Sequence, residues 1–428
     1  MQSNHEASPV LFPPAIRSIR DPTDNSEVQT KRNRGLFHGA ILLFVLSLLL
    51  SSCASYNSLE FQKQLGVRLV DSLATKETVL LFRNLKTISD HRIIFGHQNT
   101  TQYGVYWRGD SARSDIKDVT GSFPGVYGWD FESIPRNDST KARDVVPRLV
   151  REAYERGGIN TFSWHHRNPV TDNSFYDTTV AVQYVLPGGA YHEKYLRVLD
   201  SLADYSRQLA DNNGTPIPII FRPYHELDGW WFWWGKHYCT PEEFVALWRM
   251  TVDYLRTAKG IKNYLYAFST DRWFDTDQEY LERYPGDAYV DVVGMDNYHD
   301  FTPKGDSVEF VTKKLKIIST IARERGKIAA FTETGSLFIP DSAWWTGQLY
   351  KSMDDDSVRI AYVMMWRNPG PGQFYAPYKG QASAPDFMEF RHKKRMLFQE
   401  DLPNVYKTVI MEDLLSRTLG EPETGSEP

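Results

Sequence analysis

Cysteine is almost missing: the 428 residues contain two, Cys53 and Cys239. Because Cys53 closes an N-terminal apolar segment, the body of the chain holds one thiol and no internal disulfide is possible. A body of this size buries enough surface to fold without one, and Cys239 reads as a small packed hydrophobe. Long basic blocks are also absent, and the formal net charge is only −5. Both argue against nucleic-acid binding. No His-Glu-x-x-His or similar spacing occurs, so His97, His165 and His166 make no metal motif and no metal is expected. Nor does a Gly-rich phosphate loop follow an early strand. GHQNTTQYG has too few glycines in the wrong places, which argues against a dinucleotide-binding open sheet. No cofactor is expected.

What is abundant is aromatic surface, with 12 Trp, 24 Tyr and 23 Phe. Flat rings can be core, but they also stack on the apolar face of a pyranose. At the N-terminus, Lys31, Arg32 and Arg34 precede the apolar run 36–50. That run falls short of the roughly 20 residues a membrane span requires and reads as a secretory signal. Leu50-Ser51-Ser52-Cys53 resembles a bacterial lipobox, whose cysteine is diacylated and becomes the new N-terminus. The expectation is a leader over 1–52 and one catalytic domain over 53–428. The protein would be exported and held by a lipid at Cys53, on the periplasmic or cell-surface face of an outer membrane. An uncleaved anchor helix is the alternative, and it also places the body outside the cytoplasm.

Eight short β-branched or apolar runs recur along the body: 92–96, 122–128, 159–164, 217–222, 264–269, 289–296, 327–332 and 360–366. Several are continuously apolar, as parallel strands covered on both faces should be. Helical patterns lie between them at 142–157, 193–212, 240–260 and 307–326. Thr240-Pro241-Glu242-Glu243 has the makings of a helix start, and Gly157, Gly260 and Gly326 punctuate exits. Eight strands alternating with helices predict an α/β fold, a (β/α)8 barrel.

Polar residues gather at the C-terminal ends of these strands, where a barrel enzyme keeps its site. Glu226 and Glu333 follow strands four and seven, which face each other across a barrel mouth. Two carboxylates across a sugar-sized cleft are the minimum equipment for glycoside hydrolysis. Glu226, set among Trp230 and Trp231, suits the protonated acid. Glu333, in the turn FTETG, suits the ionised nucleophile, with Tyr298 as its hydrogen-bond donor. His165 is a candidate ligand for a sugar hydroxyl, and Asp228 reads as an organiser of its own turn. The indoles of Trp233 and Trp234 could equally be packing.

FRPYHELDGWWFWWG resembles the acid/base segment of glycoside hydrolase family 26, Arg-x-x-His-Glu-x-x-Gly-x-Trp-Phe-Trp-Trp. Arg222, His225, Glu226, Gly229, Trp231, Phe232, Trp233 and Trp234 carry the match. FTETG is similar to the nucleophile segment around Glu333, VDVVGMDNY to the motif supplying Asp296 and Tyr298, and MMWRNP to the element supplying Trp366 and Arg367. The resemblance spans about residues 92–367. It implies a retaining endo-β-1,4-mannanase acting on mannan, glucomannan or galactomannan without a cofactor; a monomer is expected separately. Trp231 and Trp366 would stack on sugar, while His165, Arg222, His225, Asp296 and Arg367 would bind it, Arg222 alternatively by orienting a carboxylate. Release of mannobiose from chain ends, cleavage of mixed-linkage β-glucan or β-1,3-xylan, and non-catalytic glycan capture are the competing readings. A long loop over 174–192 could close the cleft and favour action at chain ends.

Overall fold

The structure, a computed structural model, describes residues 57–110, 112–132, 142–301, 307–407 and 409–410. The expected lipobox and the boundary at 52/53 lie outside the described residues. Among those described, no helix is long and apolar enough to cross a membrane.

All eight expected strands form: β1 Ile93–Gln98, β2 Val126–Asp130, β3 Ile159–Trp164, β4 Ile219–Pro223, β5 Tyr264–Thr270, β6 Val292–Asn297, β7 Ile328–Thr334 and β8 Tyr362–Met365. Each pairs in parallel with its neighbour, and β8 returns to β1 with Ile94 opposite Tyr362 and His97 opposite Met365. The sheet is therefore a closed parallel barrel, with no edge left among these strands. Alternate strand residues serve different cores. One buried cluster unites Ile94, Val126, Ile220, Leu265, Val292 and Ile328 with Val79, Phe82 and Leu85 of α1 (Lys76–Ser89), a helix that precedes the barrel. The other unites Phe95, Trp129, Phe162, Phe221 and Phe331 with the connecting helices. Two-sided burial is why several of these strands read as apolar runs.

The helices between strands include α2 Asp115–Thr120, α3 Ala142–Glu155, α4 His192–Ser206, α5 Pro241–Asp253, α6 Asp277–Tyr280 and α7 Ser307–Arg325, and α8 Ala384–Arg391 follows β8. Thr240 caps α5 as its sequence suggests, in a reciprocal capping box with Glu243. Gly157, Gly260 and Gly326 all hold positive φ, the left-handed exit that glycine makes cheap. The 193–212 pattern overshoots, because α4 stops at Ser206. Beyond it Ala210 bridges Pro216, and Asp211 accepts the backbone N–H of Asn213 and Thr215. The 240–260 pattern loses its α-helical character at Tyr254, where one π-helical stretch runs to Ala258.

Two local departures from regularity aim the site. On β7 the register slips so that Asp296 pairs with Glu333 directly after Met295 pairs with Phe331. The irregularity falls at Thr332, immediately before the carboxylate it re-aims. Beyond β4, Tyr224 and Glu226 both take left-handed backbone, φ 51° and 54°, without being glycine. Each such residue costs about 1–3 kcal/mol and persists only where its surroundings over-determine it. Here they do. Glu226 N–H donates to Ser269 O at 3.1 Å, Trp234 Nε1 donates to His225 O at 2.8 Å, and the Tyr224 hydroxyl meets Thr251 Oγ1 at 2.8 Å.

Candidate active site

A cleft of about 480 Å³ opens at the C-terminal end of the barrel, with Glu226, Glu333, Trp231, Tyr298, Trp366 and His165 among its walls. The two glutamates meet opposite surroundings. Glu333, from the end of β7, is 4% exposed and receives the Tyr298 hydroxyl at 2.6 Å on Oε1 and the Arg222 guanidinium on Oε2. Arg222 also bonds Asp296, whose other oxygen accepts the Thr332 hydroxyl at 2.7 Å. Glycine at 294 makes this possible, because a Cβ there would collide with Thr332. Glu333 is thus gripped on one oxygen by a buried cation and on the other by a phenol.

Glu226 has no cationic partner among its hydrogen bonds. It accepts one, from Trp231 Nε1 at 2.5 Å. Burial first, then the charges of Asp296, Glu333 and Asp271, push its carboxyl well above the ordinary glutamate value, and the indole bond only partly offsets them. Two carboxylates with opposed environments can divide the labour of acid and nucleophile.

His165, at the end of β3, joins a relay of three side chains. Its Nδ1 lies 2.5 Å from Asp130 Oδ2, and its Nε2 lies 3.2 Å from His225 Nε2. Burial opposes charge on His165, but Asp130 outweighs it and raises the pKa. Burial, with the charges of Arg222 and His165, pushes His225 well below its ordinary value. A hydrogen bond donated by His165 to His225 is consistent with both directions. His225, Asp296 and Glu333 also offer ligand atoms within 4.8 Å of one another. The Arg222 guanidinium already supplies positive charge to both carboxylates, so the trio forms an ion-paired floor rather than a cation cage.

Four expected sugar contacts sit elsewhere. Arg222, His225 and Asp296 do not line the cleft; they are buried beneath it, at 3%, 1% and 0% exposure, and face the carboxylates and His165. Arg367 is likewise not among the lining residues; its guanidinium lies 5.3 Å from the Trp366 ring. Trp233 and Trp234 are fully buried and spend their N–H groups on backbone carbonyls, so they are packing under the loop. Asp228 does more than shape its own turn. It accepts the backbone N–H of Asp271 at 2.6 Å and of Trp273 at 3.1 Å, tying the loop after β5 to the loop after β4. Cys239 is buried, and burial pushes its thiol up to about 11, so it is no nucleophile at neutral pH. His97 and His166 are buried and pushed down to about 3, mainly by burial.

The model of the glycosyl hydrolase family 26 matches residues 70–352. The chain belongs to glycosyl hydrolase family 26. A solved relative in this family, a GH26 β-mannanase from Bacteroides ovatus, is 42% identical, with a TM-score of 0.74 over 78% of this chain and 98% of that one. An endo-β-1,4-mannanase from Cellulomonas fimi is 37% identical, with a TM-score of 0.74 over 80% of each chain. A mannan endo-1,4-β-mannosidase from Bifidobacterium adolescentis is 34% identical over 78% of this chain. The chain spans 35% of the length of that relative.

Several cleft residues of this family member escaped the strand-end pattern. Tyr176, from the 174–192 loop, stacks on Phe232 with centroids 5.6 Å apart and lines the wall. Gln373 and Tyr375, beyond β8, also line the cleft, while Asp130, at the end of β2, bonds His165 behind the wall. The loop aromatics carry no periodic signal. The Asp130–His165 pair, by contrast, could have been sought at the ends of adjacent strands.

Proposed function

We propose that this chain is a retaining endo-β-1,4-mannanase that cleaves mannan, glucomannan or galactomannan by double displacement. The observation that carries this reading is the contrast between the glutamates. Glu333 is fixed by Arg222 and Tyr298, whereas Glu226 lies in surroundings that push its carboxyl well above the ordinary glutamate value. Family membership and the names of the mannanase relatives support the substrate.

On this reading Glu333 attacks the anomeric carbon, forming a mannosyl-enzyme as the bond to the departing oxygen breaks. Glu226 gives that oxygen its proton. Glu226, now a carboxylate, then takes a proton from the water that attacks the anomeric carbon and releases Glu333. Retention calls for carboxyls about 5–5.5 Å apart. Trp366 forms the floor under the sugar, and His165, its two ring nitrogens turned to Asp130 and His225, contributes ring surface to the wall. Arg222 and Asp296 act one step back, holding Glu333 in place.

A panel of glucomannan, galactomannan, xylan and lichenan tests the proposal. New reducing ends from the mannans, with an early fall in viscosity, are expected. Strong action on xylan or lichenan with none on glucomannan overturns the substrate, and mannan binding without new ends overturns the enzyme. We further propose, from residues 31–53 alone, export and a diacyl anchor at Cys53. Incorporation of labelled fatty acid that persists in Cys53→Ala would refute that anchor.

A further inference from the structure

The molecule leaves two tryptophans in solvent beside its acid, Trp230 at 51% exposure and Trp273 at 46%. Neither lines the cleft between the two glutamates. They form a continuous path away from it. Trp231, which bonds Glu226, meets Trp230 edge-on with centroids 5.1 Å apart, and Trp230 lies 5.7 Å from Trp273. Both exposed tryptophans are tied to neighbouring groups. The Arg272 guanidinium covers Trp273 at 4.3 Å, and the Asp228 carboxylate anchors the Trp273 backbone to the acid loop. Tyr238 OH donates to Trp230 O at 2.8 Å. Beyond Trp273 the path enters a second surface cleft of about 450 Å³, where Phe310, 54% exposed, stands with Arg272, Asp300 and Lys314.

A single exposed apolar residue means little, but clustered aromatic surface marks a binding site. The chemistry here suits one ligand class. Indole faces take the apolar face of a pyranose, and the Arg272–Asp300 pair at 2.9 Å with Lys314 at 3.5 Å offers donors and acceptors to its hydroxyls. Position then sets the role. The acid protonates the leaving oxygen, so sugar that continues past Glu226 belongs to the departing part of the chain.

We propose that Trp230, Trp273 and the Phe310 cleft form an extended platform for the leaving-group end of the polysaccharide, favouring long chains over short ones. This rests on the mannanase reading above. The test is the ratio of kcat/KM on mannohexaose to kcat/KM on nitrophenyl β-mannobioside, whose aglycone is too short to reach Trp273. In Trp273→Ala the ratio falls about 3- to 10-fold, the size expected for one lost ring contact. Trp273→Phe restores most of it, and Phe310→Ala gives a smaller fall. An unchanged ratio in Trp273→Ala, or equal losses on both substrates, overturns the platform. Failure of the wild type on both substrates would instead strike the mannanase reading.

Discussion

The hydrogen bond from Trp231 to Glu226 sets two requirements against each other. A donor to a carboxylate favours the ionised form, whereas the acid must be protonated at working pH. Burial and three neighbouring carboxylates prevail, so the carboxyl is raised, but the indole trims the rise. Trp231→Phe removes that donor and keeps a ring. The Glu226 pKa should climb further, and the alkaline limb of the kcat/KM profile, which reports the acid of the free enzyme, should move to higher pH. A limb that stays or moves lower would show that Trp231 does not bond the acid in solution. Arg222 supplies Glu333 with the buried cationic partner seen in its ion pair. One guanidinium bridging Glu333 and Asp296 lets two carboxylates sit together almost without solvent. Removing a single partner from such a buried set typically costs about 3–5 kcal/mol.

Among elements, the loops after β4 and β5 act as one unit through Asp228. Its two carboxylate oxygens satisfy two backbone N–H groups on the neighbouring loop. Asp228→Ala orphans both, one of them on buried Asp271. We expect about 1–3 kcal/mol less stability in urea unfolding, with Asp228→Asn recovering part, since it keeps one acceptor. Equal stability of the alanine variant and the wild type would dismiss the tie. Nothing in the local sequence announces it, because Asp228 followed by Gly229 is also ordinary turn chemistry. The same limit applied to Arg222 and Asp296. Each stands at a strand end, which placed it in the site, but whether a strand-end side chain meets ligand or lies under it depends on barrel closure. Burial therefore turned expected sugar contacts into supports for Glu333. The strands were legible for the converse reason. Covered on both faces, several of these strands had to open on apolar runs, as Ile93–Gln98 does with Ile93, Ile94 and Phe95.

At the scale of the whole molecule, the barrel separates stability from chemistry. The α1 helix packs with the inner strand residues at the N-terminal side, and the polar machinery collects at the other end. The strand-end glutamates were readable because a closed eight-strand barrel brings β4 and β7 to opposite sides of one mouth. Tyr176, Gln373 and Tyr375 were not, since long loops reach the cleft along paths that no residue spacing encodes. The opposed duties of Glu226 and Glu333 are the centre of the account. Azide rescue with nitrophenyl β-mannobioside tests them directly. Glu226→Ala keeps its nucleophile, so azide should intercept the mannosyl-enzyme and give the β-configured glycosyl azide. Glu333→Ala lacks one, so azide should enter from the opposite face and give the α-configured product. The reverse pattern, or the same anomer from both variants, would contradict the assignment.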